Sequence, residues 1–513
     1  MTRTPKLLTY AVLLAAMGGY AFKSGSGNVA NSKVRSSEKY WAATGLKSQA
    51  LEELLQPNSC KSSERYFLAC ANAVLSAAQR YGYDVTLEGQ LVPLEKTSKS
   101  QALSEKELLG PWQALAKSSE TIPDFPFLSI WTELAVHHIK EQQLPYAVGL
   151  GMNGFLSVFK DPHTYLLPAE FYNDVVAKAN HRSLSVGMVM GRNDQNYFVR
   201  KVMENSAAAI SGVKKGDVIL KLQEKDVSML NTYEMGDLLR GEEGSTLKIN
   251  LLRKGRPFQL TLIRSEKTLP NVSLQVIEGI KPVAVITINK FAVDTCAQTK
   301  SALHNMKIQD TRGLLLDLRD NPGGQMEEAA CVASLFIGPH RKVFEVKFLD
   351  STLPSEIVMS EEEKMYEGPM AVLINSGSAS ASEIVAGTLQ FYQRALLVGE
   401  RTFGKGSFQE GEIWNQNDKI AIFETKGFYY LPSGETPQMV GLVPDIKVDF
   451  KDRFALREDD QFMNPLNAPG PSMKPLLTAS ARPELLGCVS LENDFLPSED
   501  PEMKEAHRVV SCR

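Results

Sequence analysis

Short apolar strands alternate with helices across residues 270–450, and that alternation predicts an α/β protein. Two other textures flank it. Helical periodicity runs from Gly45 to about Leu156, and a unit of short strands and turns occupies Ser183 to Ser265. A chain of 513 residues is too long for one ordinary hydrophobic core, and its length suggests about three domains.

The chain opens on MTRTPKLLTYAVLLAAMGGYAF. Arg3 and Lys6 precede a short apolar run ending in small residues, the anatomy of an export signal. The run is shorter than the roughly 20 apolar residues of a membrane span. Residues 1–22 therefore read as a signal peptide or, if uncleaved, a membrane anchor. Residues 23–45 are rich in Ser, Gly and Lys and read as a flexible tether. The stretches LKSQALEELLQ, RYFLACANAVLSAAQRYG and LSIWTELAVHHIKEQQ carry apolar residues at helical spacing, so 46–182 is assigned to a helical domain. Within it, KDPHTYLLPAEF reads as a turn feeding another helix.

Residues 183–266 form the strand-rich unit, with strands SVGMVM, YFVRKV, VILKLQ, LKINLLR and FQLTLIR. One helix candidate, TYEMGDLLRG, interrupts them, and Ser206 opens a second short helix. The segment 267–450 supplies VAVITINKF, GLLLDLR, MAVLINS and ALLVGE as strands separated by helices. Continuous apolar strands of this kind argue for a buried, largely parallel sheet. Residues 451–513 are Pro-rich and read as an irregular extension.

A net charge of −4, from 56 basic and 60 acidic residues, gives no basic field for nucleic acid and no polybasic membrane patch. Six cysteines fit an oxidising compartment. Proximity in sequence suggests Cys60 with Cys70, Cys296 with Cys331 and Cys488 with Cys512. No cysteines have zinc-ligand spacing, and the adjacent His137 and His138 point to different sides of a helix. No metal or other cofactor is expected.

The chemistry concentrates between Asn375 and Gln409, in NSGSASASEIVAGTLQFYQRALLVGERTFGKGSFQ. Ser380 stands where a strand ends and a helix begins, three residues before Glu383. That pattern is a capping box, and capping is the plain structural reading. The same position suits a nucleophile, because the Ala381 amide would face outward at the positive end of the helix and hold an oxyanion. Ser378 and Ser382 compete for the nucleophile role. Lys405 follows in FGKG, where strand alternation puts Lys405, Ser407 and Gln409 on one face. A neutral lysine can serve as base for a serine hydroxyl, and burial can lower its pKa far enough. Gln409 can orient the amine without adding a charge. NPGG places Gly323 and Gly324 between a strand and a helix, where a second oxyanion donor would sit. Asp317 and Arg319 read as a structural ion pair, and His163 as a loop cap.

In this order, DPHTYLLP, SVGMVM…SAAAISGVKKGDVI, GLLLDLRDNPGG, NSGSASASEIVAG, VGERTFGKGSFQ and YYLPSGETPQMVGLVPDI resemble the carboxyl-terminal processing proteases. These are serine peptidases with a Ser-Lys dyad and an inserted PDZ domain. The resemblance implies a crotonase-like or ClpP-like α/β spiral core at 267–450 and a PDZ domain at 183–266. It makes Ser380 the nucleophile, Lys405 the general base and Gln409 its orienting residue. The amides of Ala381 and Gly324, in preference to Gly323, become the oxyanion hole. Ser185, Val186, Gly187 and Met188 match the segment that receives a substrate's free carboxyl end beside a strand. The implied function is an exported endopeptidase of the periplasm or cell envelope, acting on protein or peptide substrates with free C-termini. An activating partner protein and self-association remain open, as does a non-catalytic exported PDZ scaffold.

Overall fold

The computed structural model describes residues 37–94, 104–118, 120–172, 186–192, 197–203, 205–227, 238–239, 244–264, 271–277, 282–308, 311, 313–415, 417–448, 457–468 and 500–511. The export segment, Ser185, Cys488, Cys512 and most of the TYEMGDLLRG helix candidate lie outside them.

Helices Glu64–Arg80 and Leu144–Phe159 pack side by side at the centre of the N-terminal region. Small residues allow the close approach: a Cβ on Gly154 would stand 2.5 Å from the Ser76 hydroxyl and 2.6 Å from the Asn72 carbonyl. Ser63 caps the first helix by accepting the Tyr66 amide, and Ser104 with Glu107 forms a capping box on Glu105–Lys117. The Cys60–Cys70 disulfide is formed. Residues 37–44, expected within the tether, are instead a helix, because Trp41 finds an apolar seat against Gly149 and is 4% exposed.

The strand-rich unit is an antiparallel sheet in the order Met188–Arg192, Tyr197–Val202, Val218–Leu222, Thr246–Arg253, Arg256–Ile263. Its first strand is an edge. Ser206 caps the short helix Ala207–Ile210, as its position in the sequence suggested.

A six-stranded sheet in the order Val272–Ile277, Val283–Ile288, Gly313–Asp317, Met370–Ile374, Leu396–Gly399, Ile446–Lys447 forms the centre. Only the first pairing is antiparallel. Both faces are covered, which is why the strands read as unbroken apolar runs. Ala284 and Ile286 pack among the helices Thr295–Ile308, Met326–Ile337 and Ala381–Phe391. Their neighbours Val283 and Val285 meet Ala506, Val509 and Val510 of a helix at Pro501–Ser511. That helix corrects the expectation of an irregular C-terminal extension. Arg319 holds its start by donating to Asp500 at 2.9 Å and Glu502 at 2.7 Å while also pairing with Asp317 at 2.8 Å. The Cys296–Cys331 disulfide joins the Thr295–Ile308 and Met326–Ile337 helices.

A second, antiparallel sheet has the order Glu356–Met359, Lys342–Phe348, Ile420–Tyr430, Ser407–Ile413. The strand Tyr165–Pro168 also pairs with the long Ile420–Tyr430 strand. DPHTYLLP therefore runs from a turn into a strand, not directly into a helix as expected. The N-terminal region is thereby sewn to the sheet that carries Lys405.

Candidate active site

Ser380 is the N-cap residue of the Ala381–Phe391 helix and adopts φ 56°, ψ −116°. Positive φ is unusual for a residue with a Cβ, costs on the order of 1–3 kcal/mol, and is characteristic of functional turns. The Glu383 carboxylate accepts the Ser380 amide at 2.9 Å, the half of a capping box that the spacing predicted. The Ser380 hydroxyl makes no capping bond; buried, it has no hydrogen-bond partner. Its two competitors are occupied. Ser378 Oγ donates to the Leu318 carbonyl at 2.8 Å, and Ser382 Oγ donates to the Asn321 carbonyl at 2.9 Å. Both pin the serine turn to the segment around NPGG.

Lys405 lies two residues before the Ser407–Ile413 strand, not inside it as expected. The face is still the one alternation predicts. Lys405 Nζ donates to Gln409 Oε1 at 2.8 Å and to the Ser407 carbonyl and hydroxyl, each at 3.2 Å, while Phe408 points into the core. Lys405 is 1% exposed. Burial pushes its amine down to about 8, against Glu458, Asp161 and Glu383, which favour the ammonium. Its three acceptors match the three hydrogens of an ammonium group. With the Ser380 oxygen unpartnered, no hydrogen bond joins the two side chains here.

The turn at NPGG lies directly against Ser380. A Cβ on Gly323 would stand 2.8 Å from the Ser380 Cβ and 2.9 Å from the Ala381 nitrogen. The Gly323 amide is spent on Asn321 Oδ1 at 2.9 Å. Gly324 has φ 144°, and a Cβ there would meet the Phe291 carbonyl at 1.9 Å, so only glycine fits. Among the described residues neither the Gly324 nor the Ala381 amide has a hydrogen-bond partner. The free Ala381 amide follows the unpartnered hydroxyl in sequence, the free Gly324 amide lies in the turn packed against it, and such N–H groups can hold the oxygen of a carbonyl under attack.

Several residues around the site were not singled out from sequence. Glu383 was seen only as a capping partner. Fully buried, it accepts Thr402 Oγ1 at 2.6 Å and the amides of Ser380, Gly404 and Lys405, each at 2.9 Å. One carboxylate thus holds together the turns that carry Ser380 and Lys405. Burial pushes its own carboxyl up to about 7, against those hydrogen bonds. Tyr429 Oη donates to the Lys405 carbonyl at 2.8 Å and the Ser380 carbonyl at 3.2 Å. Gln438 Oε1 accepts the Gly406 and Ser407 amides. Both residues sit in YYLPSGETPQM, whose place in the motif was the available signal. His163 does more than cap its loop: its Nε2 meets Glu458 Oε1 at 2.8 Å, tying DPHTY to the C-terminal region.

In the strand-rich unit, the Gly187 carbonyl accepts the Met203 amide at 2.8 Å and the Ser206 hydroxyl at 3.2 Å, with Gly187 at φ 77°. The Val186 carbonyl accepts the Ala208 amide, and Met188 begins the edge strand. Ser185 lies outside the described residues. Arg200, on the neighbouring strand, reaches Asp320 before NPGG at 2.6 Å, so this unit touches the candidate site through an ion pair.

The family model for peptidase family S41 matches residues 282–448, and that for a PDZ domain matches residues 173–263. The chain is 31% identical over 311 residues to the carboxy-terminal-processing protease of Bartonella bacilliformis, covering 58% of this chain and 68% of that one. It is 28% identical over 374 residues to the carboxyl-terminal-processing protease of Synechocystis, covering 71% and 86%. Against the carboxy-terminal processing protease CtpA of Bacillus subtilis it is 27% identical over 301 residues, and the match spans 59% of this chain and 64% of the relative. The chain belongs to the carboxyl-terminal processing proteases, a family of S41 peptidases that carry a PDZ domain.

Proposed function

We propose that this chain is an exported serine endopeptidase that captures the C-terminal end of protein substrates with its PDZ domain and cleaves peptide bonds with Ser380 and Lys405. The observation that carries the reading is the serine turn: a buried hydroxyl without a partner, at positive φ, followed by the unpaired Ala381 amide and packed against the turn that bears the unpaired Gly324 amide. Neutral Lys405 takes the hydroxyl proton as Ser380 Oγ bonds to the substrate carbonyl carbon. The Ala381 and Gly324 amides stabilise the resulting oxyanion. Collapse of the intermediate breaks the C–N bond, and the proton passes from Lys405 to the leaving amine. Water, deprotonated by the same amine, then attacks the acyl carbon, and collapse breaks the bond to Ser380 Oγ as the proton passes from Lys405 back to that oxygen.

Gln409 orients the base, and the Val186–Met188 segment beside the open edge strand receives the substrate terminus. The division into export segment, helical domain, PDZ domain at 183–266 and peptidase core at 267–450 belongs to the same reading. Export is supported by the first 22 residues and by two disulfides. Among the described residues, no helix is long and apolar enough to cross a membrane.

The missing hydrogen bond between Ser380 and Lys405 favours a gated form of this reading. Substrate or a partner on the PDZ domain would shift the two turns until the amine reaches the hydroxyl. Purified protein incubated with an unfolded protein substrate, with and without a partner protein, tests both forms. Hydrolysis by the wild type and none by Ser380→Ala is the expected result. Absence of hydrolysis in every arm would leave the non-catalytic scaffold.

A further inference from the structure

We propose that Asp161 and Thr425 are positioning residues for Lys405, acting through Gln409. The inference rests on Lys405 being the base and deepens that reading by reaching outside the S41-matched segment to the DPHTY turn. Thr425 Oγ1 donates to Asp161 Oδ1 at 2.8 Å, Gln409 Nε2 donates to Thr425 Oγ1 at 3.2 Å, and Lys405 Nζ donates to Gln409 Oε1 at 2.8 Å. All four side chains are buried.

The direction of this chain is fixed at its far end. A carboxylate only accepts, so the single Thr425 proton goes to Asp161. The Thr425 oxygen can then only accept, and the end of Gln409 facing it must be the NH2. The amide oxygen is thereby turned toward Lys405. The reverse orientation would aim an N–H at the amine and occupy the lone pair that must take the Ser380 proton. Asp161 is itself held firmly: Oδ2 accepts Thr164 Oγ1 at 2.6 Å, and Oδ1 also accepts the His163 amide at 2.9 Å. A proton-level choice at the base is thus set by a turn more than 240 residues upstream of it in sequence.

The charged groups facing the amine are Asp161, Glu458 and Glu383, with His163 paired to Glu458. Removing the Asp161 charge therefore favours the neutral amine, while removing the Thr425 hydroxyl leaves the Gln409 NH2 with only the Ser407 hydroxyl, at 3.2 Å, to hold its orientation. These two consequences are separable by experiment.

Steady-state cleavage of an unfolded protein substrate is measured from pH 6 to 10 for the wild type, Thr425→Val, Thr425→Ser, Asp161→Asn and Lys405→Ala. Thr425→Val keeps the shape and strand preference of threonine but loses two buried hydrogen bonds, so it should melt somewhat below the wild type and remain folded. Its kcat is expected to fall by about 10- to 100-fold, with KM little changed, since misplacing a catalytic group by about 1 Å can cost that much. Thr425→Ser restores the hydroxyl and should recover most of the loss. Asp161→Asn removes the charge while keeping an oxygen that can accept the Thr425 proton, so it should move the acidic limb of the pH profile to lower pH and thereby separate the effect of charge from that of orientation. Wild-type kcat in a folded Thr425→Val, or no recovery in Thr425→Ser, overturns the positioning role. If Thr425→Val does not fold, Thr425→Ala decides by the same kcat and KM readout. Activity retained in Lys405→Ala would remove the base assignment, and the inference with it, by a visibly different result.

Discussion

The turns that bear Ser380 and Lys405 are held by the same buried carboxylate, Glu383, yet they present their side chains in opposite ways. The serine hydroxyl is left without a partner, while the lysine amine has three. The serine turn spends its bonds on backbone: Ser378, Ser382 and Glu383 fix the loop, and the chain tolerates positive φ at Ser380 to aim one oxygen. The lysine turn spends its bonds on the side chain, holding it in an ammonium pose. A nucleophile can be prepared by withholding partners. A base must be held in place while keeping the ability to give up and take back a proton, and here that holding extends outward through Gln409.

Four substitutions probe the contrast, taken from the largest expected effect downward. Ser380→Ala should lower kcat by about 10⁴-fold or more, judging from the loss of other serine nucleophiles, with little change in melting temperature because the hydroxyl bonds to nothing. A parallel fall in stability would show that the hydroxyl is structurally engaged after all.

Lys405→Met should lower kcat by about 10²- to 10⁴-fold, the range for a lost general base, and yet stabilise the fold. Folding lowers this pKa from 10.5 to about 8, so the unfolded chain binds more protons between those values. Stability therefore rises with pH through that window and is lowest below it. At pH 7 the variant escapes the penalty and should gain about 1–3 kcal/mol, measured by chemical denaturation. A loss instead would mean that the amine's hydrogen bonds outweigh its desolvation.

Gly324→Ala puts a methyl into the Phe291 carbonyl at a φ that favours glycine. A kcat loss of about 10²- to 10³-fold is expected from displacing one oxyanion donor. Unchanged kcat would transfer that role elsewhere. The smallest effect belongs to Ser378→Ala, which removes a bond to the Leu318 carbonyl and one from the Asn375 amide. It should cost roughly 1–3 kcal/mol of stability and keep turnover within a few-fold of wild type. Abolished turnover in a folded Ser378→Ala would reopen the choice among the three serines.

How much of this was legible depended on the range of the interactions. The central sheet was readable because burial on both faces forces continuous apolar strands between helices, as in GLLLD and MAVLI. The antiparallel sheet was not: its partners Tyr165–Pro168, Lys342–Phe348 and Ile420–Tyr430 are far apart in sequence, and nothing local specifies such pairing. Within the site, spacing sufficed to place Lys405, Ser407 and Gln409 on one face, since that is a property of one extended segment. Glu383 looked like an ordinary cap because its bonds to Thr402, Gly404 and Lys405 cross to another loop. Asp161 and Glu458 were invisible as neighbours of the amine for the same reason, standing 244 residues before it and 53 after it. The helix at Pro501–Ser511 was hidden beneath the Pro-rich composition of the residues before it.

The most direct test is the rate at which a fluorophosphonate reagent modifies Ser380, followed against pH in the wild type and in Lys405→Met, each with an unfolded protein substrate present to engage the PDZ domain. An amine titrating at about 8 predicts a wild-type rate that climbs nearly tenfold per pH unit below that value and levels off above it, with the slope abolished in the variant. A wild-type rate that is flat with pH, or one that Lys405→Met reproduces, would contradict the pairing of this serine with this lysine.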